Sequence, residues 1–196
     1  MRATPGLRSR AVATFRVARP TSRRRMAAKT GVQIVVVWGF ALVVLPVIAA
    51  RVERRLGLPR LAGRGRVPLG GALLVAGSAA GLTSAWFMAE EGKGTPIPFD
   101  AASELVVVGP YRVVRNPMAV SAIAQSSGVA LLMGSPLAGL IPVAGAVLWN
   151  RIIRPAEEEF LAEQFGEAYR HYQRQIRCWV PSWPPYRRPV GTDAAW

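Results

Sequence analysis

The stretch "NPMAVSAIAQSSGVALLMGSPLAGLIPVAGAVLWN", residues 116–150, decides how this chain folds. Its 35 residues carry no charged side chain. About 20 apolar residues span the hydrocarbon layer of a bilayer, so the run is too long for one ordinary crossing. Near its middle stand Gly134, Ser135 and Pro136, a combination that ends one helix and opens the next. The stretch predicts two apolar helices joined by a tight turn. The open end of that hairpin then brings the residues around Asn116 and Asn150 together.

Two further charge-free runs lie upstream, residues 30–50 and 67–89, with lengths of 21 and 23. A centrally placed Arg or Asp costs ~2.5–3.5 kcal/mol on insertion scales, so such runs mark membrane helices rather than a soluble core. The 196-residue chain is 51% hydrophobic yet has a formal net charge of +14, which is consistent only if charge is confined to the flanks. The expected fold class is therefore all-α: a polytopic membrane helical bundle of about four transmembrane helices with a C-terminal interfacial amphipathic helix. Residues 1–29 read as a basic, disordered N-terminal extension, with translation starting at Met1 or Met26. Residues 30–90 read as two transmembrane helices with their loop, 91–182 as the functional region, and 183–196 as a tail. The paired arginines in "TSRRRMA" faintly resemble a twin-arginine export signal, but no convincing cleavage site follows, and flanking positive charge accounts for them.

Span two carries Gly77 and Gly81, with Ala76 and Ala80 beside them. Small residues at this spacing let helix backbones approach closely, although Gly and Ala are also simply common in membrane helices. With four spans, nine basic residues before span one, three in the 90–116 loop and seven from Arg151 onward share one side, against six in the 51–66 loop. That asymmetry predicts cytoplasmic termini, with the six arginines opposite as an imperfect fit. Trp86 and Trp149 then fall at the cytoplasmic interface. The expected location is a bacterial inner membrane, with the lipid bilayer as partner. Arginines in span flanks meet anionic headgroups, and no basic stripe interleaved with aromatics or nucleic-acid motif is present, so nucleic acid is not an expected partner. A lone Cys178 and a lone His171 offer neither an internal disulfide nor a metal cluster. His171 reads as an exposed residue on a polar helix.

That polar helix is "PAEEEFLAEQFGEAYRHYQRQIR", from Pro155. Proline suits its first turn, glutamates complement its N-terminus, and Phe160, Leu161, Phe165, Tyr169 and Tyr172 form one apolar face. It is expected to lie on the membrane surface or cap the bundle, and "CWVPSWPPY" after it suits an interfacial anchor. At the hairpin mouth "GPYRVVRNP" faces "RIIRPAEEE", so Arg112 and Arg115 are expected to meet Glu157, Glu158 and Glu159. Ordinary interfacial charge pairing would suffice for isolated residues, but the residue order is specific.

That order resembles the integral-membrane methyltransferases of the isoprenylcysteine carboxyl methyltransferase and phospholipid methyltransferase group. Their pattern G-P-Y-R-x-x-R-H-P-x-Y, an apolar hairpin, then E-E-x-x-L-x-x-x-F-G-x-x-Y-x-x-Y is met here by Gly109, Pro110, Tyr111, Arg112, Arg115 and Pro117. After the hairpin it is met by Glu157, Glu158, Leu161, Phe165, Gly166, Tyr169 and Tyr172. The resemblance covers about residues 92–182. Asn116 replaces the family's histidine and Ala119 its tyrosine, so no imidazole base can act at that point. The resemblance implies S-adenosyl-L-methionine as cofactor. Arg112 and Arg115 then form a fork for its carboxylate, and Glu157 and Glu158 accept from its amino and hydroxyl groups. Tyr111, Tyr169 and Tyr172 flank the adenine or close a lid, Pro110 and Pro117 fix the backbone so that main-chain groups face the ligand, and Gly109 and Asn116 complete the cofactor-binding set. The implied activity is methyl transfer to a lipophilic acceptor. Because no base stands out for an amine, an isoprenylcysteine-like or other lipid carboxylate is favoured. A nicotinamide-dependent reductase resembling the sterol reductases, and an inactive scaffold, are the competing readings; a 2′-phosphate pocket and the extra spans of the former are missing. The acceptor and the oligomeric state are not readable from the sequence.

Overall fold

A computed structural model describes residues 28, 31–32, 34–93 and 102–188; the expected N-terminal extension, part of the 90–116 loop and the end of the tail lie outside them. Two π-helical turns, Ile34–Trp38 and Phe40–Val44, lead into α1 (Leu45–Leu56). There follow α2 (Arg66–Glu90), α3 (Pro117–Met133) and α4 (Pro136–Leu148), then a π-helical turn at Trp149–Ile153 and α5 (Arg154–Gln175). Among the described residues there is no strand. In hydrocarbon every backbone N–H and C=O must be satisfied within the chain, and the helix does so locally.

Among the described residues, three helical segments are long and apolar enough to cross a membrane: Val35–Leu56, Arg66–Glu90 and the continuous run Pro136–Gln175. The apolar α3 is shorter and packs among them. Val75 and Val143 are exposed apolar side chains of a kind that lipid, not water, solvates. The polytopic all-α bundle expected from the sequence is the fold observed.

The 116–150 stretch forms its hairpin. Asn116 caps α3 by accepting from the Ala119 amide at 3.1 Å, and Pro117 occupies the first turn. Gly134 closes α3 in the left-handed conformation, and the Ser135 hydroxyl oxygen accepts from the Ala138 amide at 3.0 Å to open α4. The small residues of α2 are a packing face. A Cβ on Gly77 would stand 2.9 Å from Gln125 Cγ, and one on Gly81 would stand 2.8 Å from Ser121 Oγ, so α3 approaches as closely as glycine allows.

At the hairpin's closed end, Arg60 donates to the Met133 carbonyl, and Arg66 Nη1 donates to Leu131 and Leu132 carbonyls. Guanidinium groups there satisfy the orphan carbonyls at the C-terminus of α3. Buried Glu53 accepts from the Leu137 amide and so complements the N-terminus of α4. Three of the charged residues in and beside the 51–66 loop are thus helix caps. This accounts for part of the arginine count that fitted the charge asymmetry poorly.

The sequence divided α4 from a new helix at Pro155. The chain instead runs on through the π turn, with Pro155 inside the first turn of α5, and breaks at Gly166 (φ 54°, ψ −130°). The apolar face of α5 turns inward: Tyr169 and Tyr172 pack with Leu105, Val107, Ile176 and Tyr186. Of the two placements open to this helix, it caps the bundle at the hairpin's mouth.

Candidate functional site

Gly109 takes φ 54°, and a Cβ there would overlap the ring of Phe87. Only glycine fits that approach to α2. The short 3₁₀ turn Gly109–Arg112 then sends Tyr111 into the bundle, where its hydroxyl lies 3.4 Å from the Ser84 carbonyl. The Tyr172 hydroxyl donates to the Tyr111 carbonyl, tying α5 to the turn.

The segment after α5 is laced to the same turn by main-chain bonds. Arg115 N donates to Arg177 O at 3.0 Å, Ser182 N to Val113 O at 2.7 Å, and Tyr186 N to Arg112 O at 2.7 Å. The proline-rich tail therefore clamps the motif loop from outside. Sequence reasoning missed this role, because main-chain pairing between irregular segments leaves no residue pattern. Exposed Trp183 is consistent with the anchor expected there.

Behind the clamp, Arg115 and Glu158 form a salt bridge with Nη1 and Oε1 2.6 Å apart. Arg115 Nε donates to the Ile176 carbonyl at 2.7 Å, and Nη1 also lies 3.4 Å from the Tyr169 hydroxyl. Gln173 Nε2 donates to Glu158 Oε2 at 3.1 Å. Asn116, while capping α3, donates from Nδ2 to Glu157 Oε2 at 3.1 Å. Both expected clusters thus meet, with Asn116 supplying one donor and one acceptor where the family motif has histidine.

These groups line a cavity of about 110 Å³. Of the residues singled out in the sequence, Tyr111, Arg115, Asn116, Glu157, Glu158, Tyr169 and Tyr172 form part of its wall, whereas Gly109, Pro110, Arg112 and Pro117 do not. Arg112 is exposed, and its Nε donates to the Tyr186 carbonyl at 3.0 Å. The paired fork is therefore not formed: Arg112 ends the 3₁₀ turn, Arg115 follows it on irregular backbone, and the two guanidinium groups go to different partners, the Tyr186 carbonyl and Glu158. Exposed Glu159 also lies outside the wall. The sequence did not single out Trp149, Arg154, Met88 or Cys178 as site residues, yet all four line the cavity. Trp149 had the look of an interfacial belt residue, and nothing local separates the two roles.

Glu157 lies past the charge-free part of the Pro136–Gln175 helix. It keeps some accessible surface through the cavity, yet protein surrounds it. Burial, reinforced by the neighbouring Glu158 charge and only partly opposed by Arg115, pushes its carboxyl up to about 7. Burial, with Glu157 nearby, also raises the Tyr111 hydroxyl. The cavity thus holds one carboxylate fixed by an arginine and a second that can take up or release a proton near neutral pH.

An apolar helical bundle whose charged and aromatic side chains converge on one partly open cavity at the mouth of a membrane hairpin defines an integral membrane protein with a candidate site at that mouth. The family model for phospholipid methyltransferases matches residues 66–168, more than half of the sequence, and the chain belongs to that family. The match runs from the start of α2 through the motif turn and the hairpin into α5, and takes in Arg115, Asn116, Glu157 and Glu158 of the cavity wall, with Tyr169, Tyr172 and Cys178 beyond its end. No curated protein and no solved structure matches the chain.

Proposed function

We propose that this protein is an S-adenosylmethionine-dependent methyltransferase that acts on a lipophilic acceptor entering from the bilayer. One observation carries the reading: Arg115–Glu158 and Asn116–Glu157 bring the two family motifs together around one cavity. The donor set suits a cationic, aromatic cofactor. Glu157 and Glu158 offer acceptors for amino and hydroxyl groups and a field for a sulfonium. Tyr111, Tyr169 and Phe165 offer faces for a purine. When bound, S-adenosylmethionine supplies a methyl carbon already activated by its sulfonium, so the chemistry is displacement by the acceptor.

The chain's own residues then have three tasks. Glu158, held by Arg115 and Gln173, fixes polar groups of the ligand in one geometry. Met88, Met118, Ile153 and Leu161 wall the cavity with apolar surface and limit the access of water. Glu157 can accept a proton. A carboxylate acceptor, the reading favoured by the sequence, needs no base and fits these residues. An amine acceptor gains ground from Glu157, whose carboxyl near 7 supplies the base that no local pattern revealed.

The test is binding of S-adenosylmethionine to detergent-purified protein by titration calorimetry, with helical content checked by circular dichroism. Binding by the wild type and its loss in Glu158→Ala are expected. A folded wild type that binds none overturns the reading. Methyl-labelling of lipid extracts from cells with and without the gene then identifies the acceptor, as a carboxyl ester or a methylated amine.

A further inference from the structure

The six arginines of residues 51–66 are of two kinds. Arg60 and Arg66 are spent on the carbonyls that end α3. Arg51, Arg54, Arg55 and Arg64 are exposed, and their side chains have no ion-pair or hydrogen-bond partner among the described residues. The one carboxylate of this stretch, Glu53, is buried against the start of α4 and pairs with none of them. Capping therefore accounts for two of the arginines that fitted the charge asymmetry poorly and leaves four.

Three of the four stand together. With 3.6 residues per turn, Arg54, Arg51 and Arg55 fall within an arc of about 100° on α1. Pro46, Ala50 and Glu53 mark the face of that helix that packs on the bundle. Like charges at i and i+4 repel, so Arg51 and Arg55 side by side cost stability unless an anion lies between them. Guanidinium groups hold phosphate oxygens through paired N–H donors.

The neighbouring surface says what carries that phosphate. Ile48 stands three residues before Arg51 and seven before Arg55, on the same side of the helix, and it is exposed. Val43 and Val44, further into the span, are exposed as well, and Val52 and Leu56 flank the arginines. The segment Val35–Leu56 is long and apolar enough to cross a membrane, so acyl chains cover this column. Charged heads at the end of a lipid-facing column match a molecule with an anionic head and apolar tails. A soluble partner would have to reach into hydrocarbon to cover the same surface.

We propose that Arg51, Arg54 and Arg55 bind the phosphate of an anionic phospholipid whose acyl chains lie along Ile48, Val44 and Val43. The site stands at the hairpin's closed end, away from the cavity at its mouth: α3, which runs between the two ends, rises about 25 Å over its 17 residues. It is independent of the methyltransferase reading and holds without it. By neutralising the arginines, the lipid holds together the end of the bundle where α1, α3 and α4 meet.

The test adds dioleoylphosphatidylglycerol or dioleoylphosphatidylcholine to the full chain in maltoside and reads stepwise lipid binding by native mass spectrometry. Each arginine at a headgroup contributes about fivefold, so wild type should take up the first phosphatidylglycerol at least about tenfold more tightly than phosphatidylcholine. Arg51→Gln/Arg54→Gln/Arg55→Gln should bring the two lipids to within about twofold of each other. Arg51→Gln/Arg55→Gln should lose most of the preference and covers the case in which the triple variant fails to fold. Arg177→Gln/Arg187→Gln removes the same amount of exposed charge from the other end of the molecule and should keep it. Equal binding of the two lipids by wild type overturns the proposal. An equal loss in the Arg177/Arg187 variant does so too, because the attraction is then a matter of net charge alone. So does inorganic phosphate that displaces the lipid at equal concentration, because the apolar column then contributes nothing.

Discussion

Arg115 and Glu158, 43 residues apart in sequence, meet at 2.6 Å and join the motif turn before α3 to the first turns of α5. Their side chains keep only 11% and 20% of their exposure, so neither charge is left to water. Removing one partner strands the other. Arg115→Ala or Glu158→Ala should destabilise the protein by about 3–5 kcal/mol. The double variant should cost less than the sum of the two, because the singles share one interaction. Thermal melting of the three variants in detergent measures both effects.

Glu157 sets a pH dependence. Its carboxyl stands at about 7 in the folded protein, against an ordinary value of 4.5. A raised pKa means that the folded state holds its proton more tightly than the unfolded chain. The resulting stabilisation is full below about pH 4.5 and is lost as pH rises through 7. Wild type should therefore lose melting temperature relative to Glu157→Gln between pH 5 and pH 8, approximately, measured by differential scanning fluorimetry. A cationic ligand prefers the ionised form, so S-adenosylmethionine affinity should rise with pH and level off above about 7, and Glu157→Gln should flatten that profile.

Gly77 tests the α2–α3 seam. A Cβ at that position meets Gln125 Cγ at 2.9 Å and the Ser121 carbonyl oxygen at 3.0 Å, and backbone cannot yield as a flexible side chain does. Gly77→Ala should destabilise by about 1–3 kcal/mol, the range for overpacking. Gly71 lies on the same helix, and a Cβ there would meet nothing within 4 Å, so Gly71→Ala should melt close to wild type.

Tyr172 holds the site's frame through its bond to the Tyr111 carbonyl. Tyr172→Phe leaves that buried carbonyl without this donor, which should cost about 1–3 kcal/mol. Hydrogen exchange should show the loss as faster opening of the 109–116 segment, where the clamp of the tail also acts.

Much of this was legible in the sequence, and for a physical reason. Charge-free runs report the cost of burying charge in lipid, so the spans could be located without any contact being known. The Gly134-Ser135-Pro136 turn is local chemistry, and the hairpin formed where it stood. Fixed spacings in "GPYRVVRNP" and "EEEFLAEQFG" carried the family and brought Asn116 and Arg115 to the glutamates. The close approach at Gly77 was visible only as one of two even readings, because a glycine pattern does not name its partner helix.

What the sequence determined by itself is thus what each segment does alone in hydrocarbon: become a helix, end at glycine, restart at proline, keep its arginines at the ends. What only the tertiary structure decided concerns pairs of segments far apart in the chain. It separated Arg115, which enters the cavity, from Arg112, which binds the tail. It set Glu157 near neutrality by enclosing it beside Glu158, and it left Trp149 and Arg154 with unused donors inside the wall. Hydropathy and propensity are properties of a residue and its near neighbours. A shifted carboxyl or an unsatisfied N–H is a property of everything packed around it.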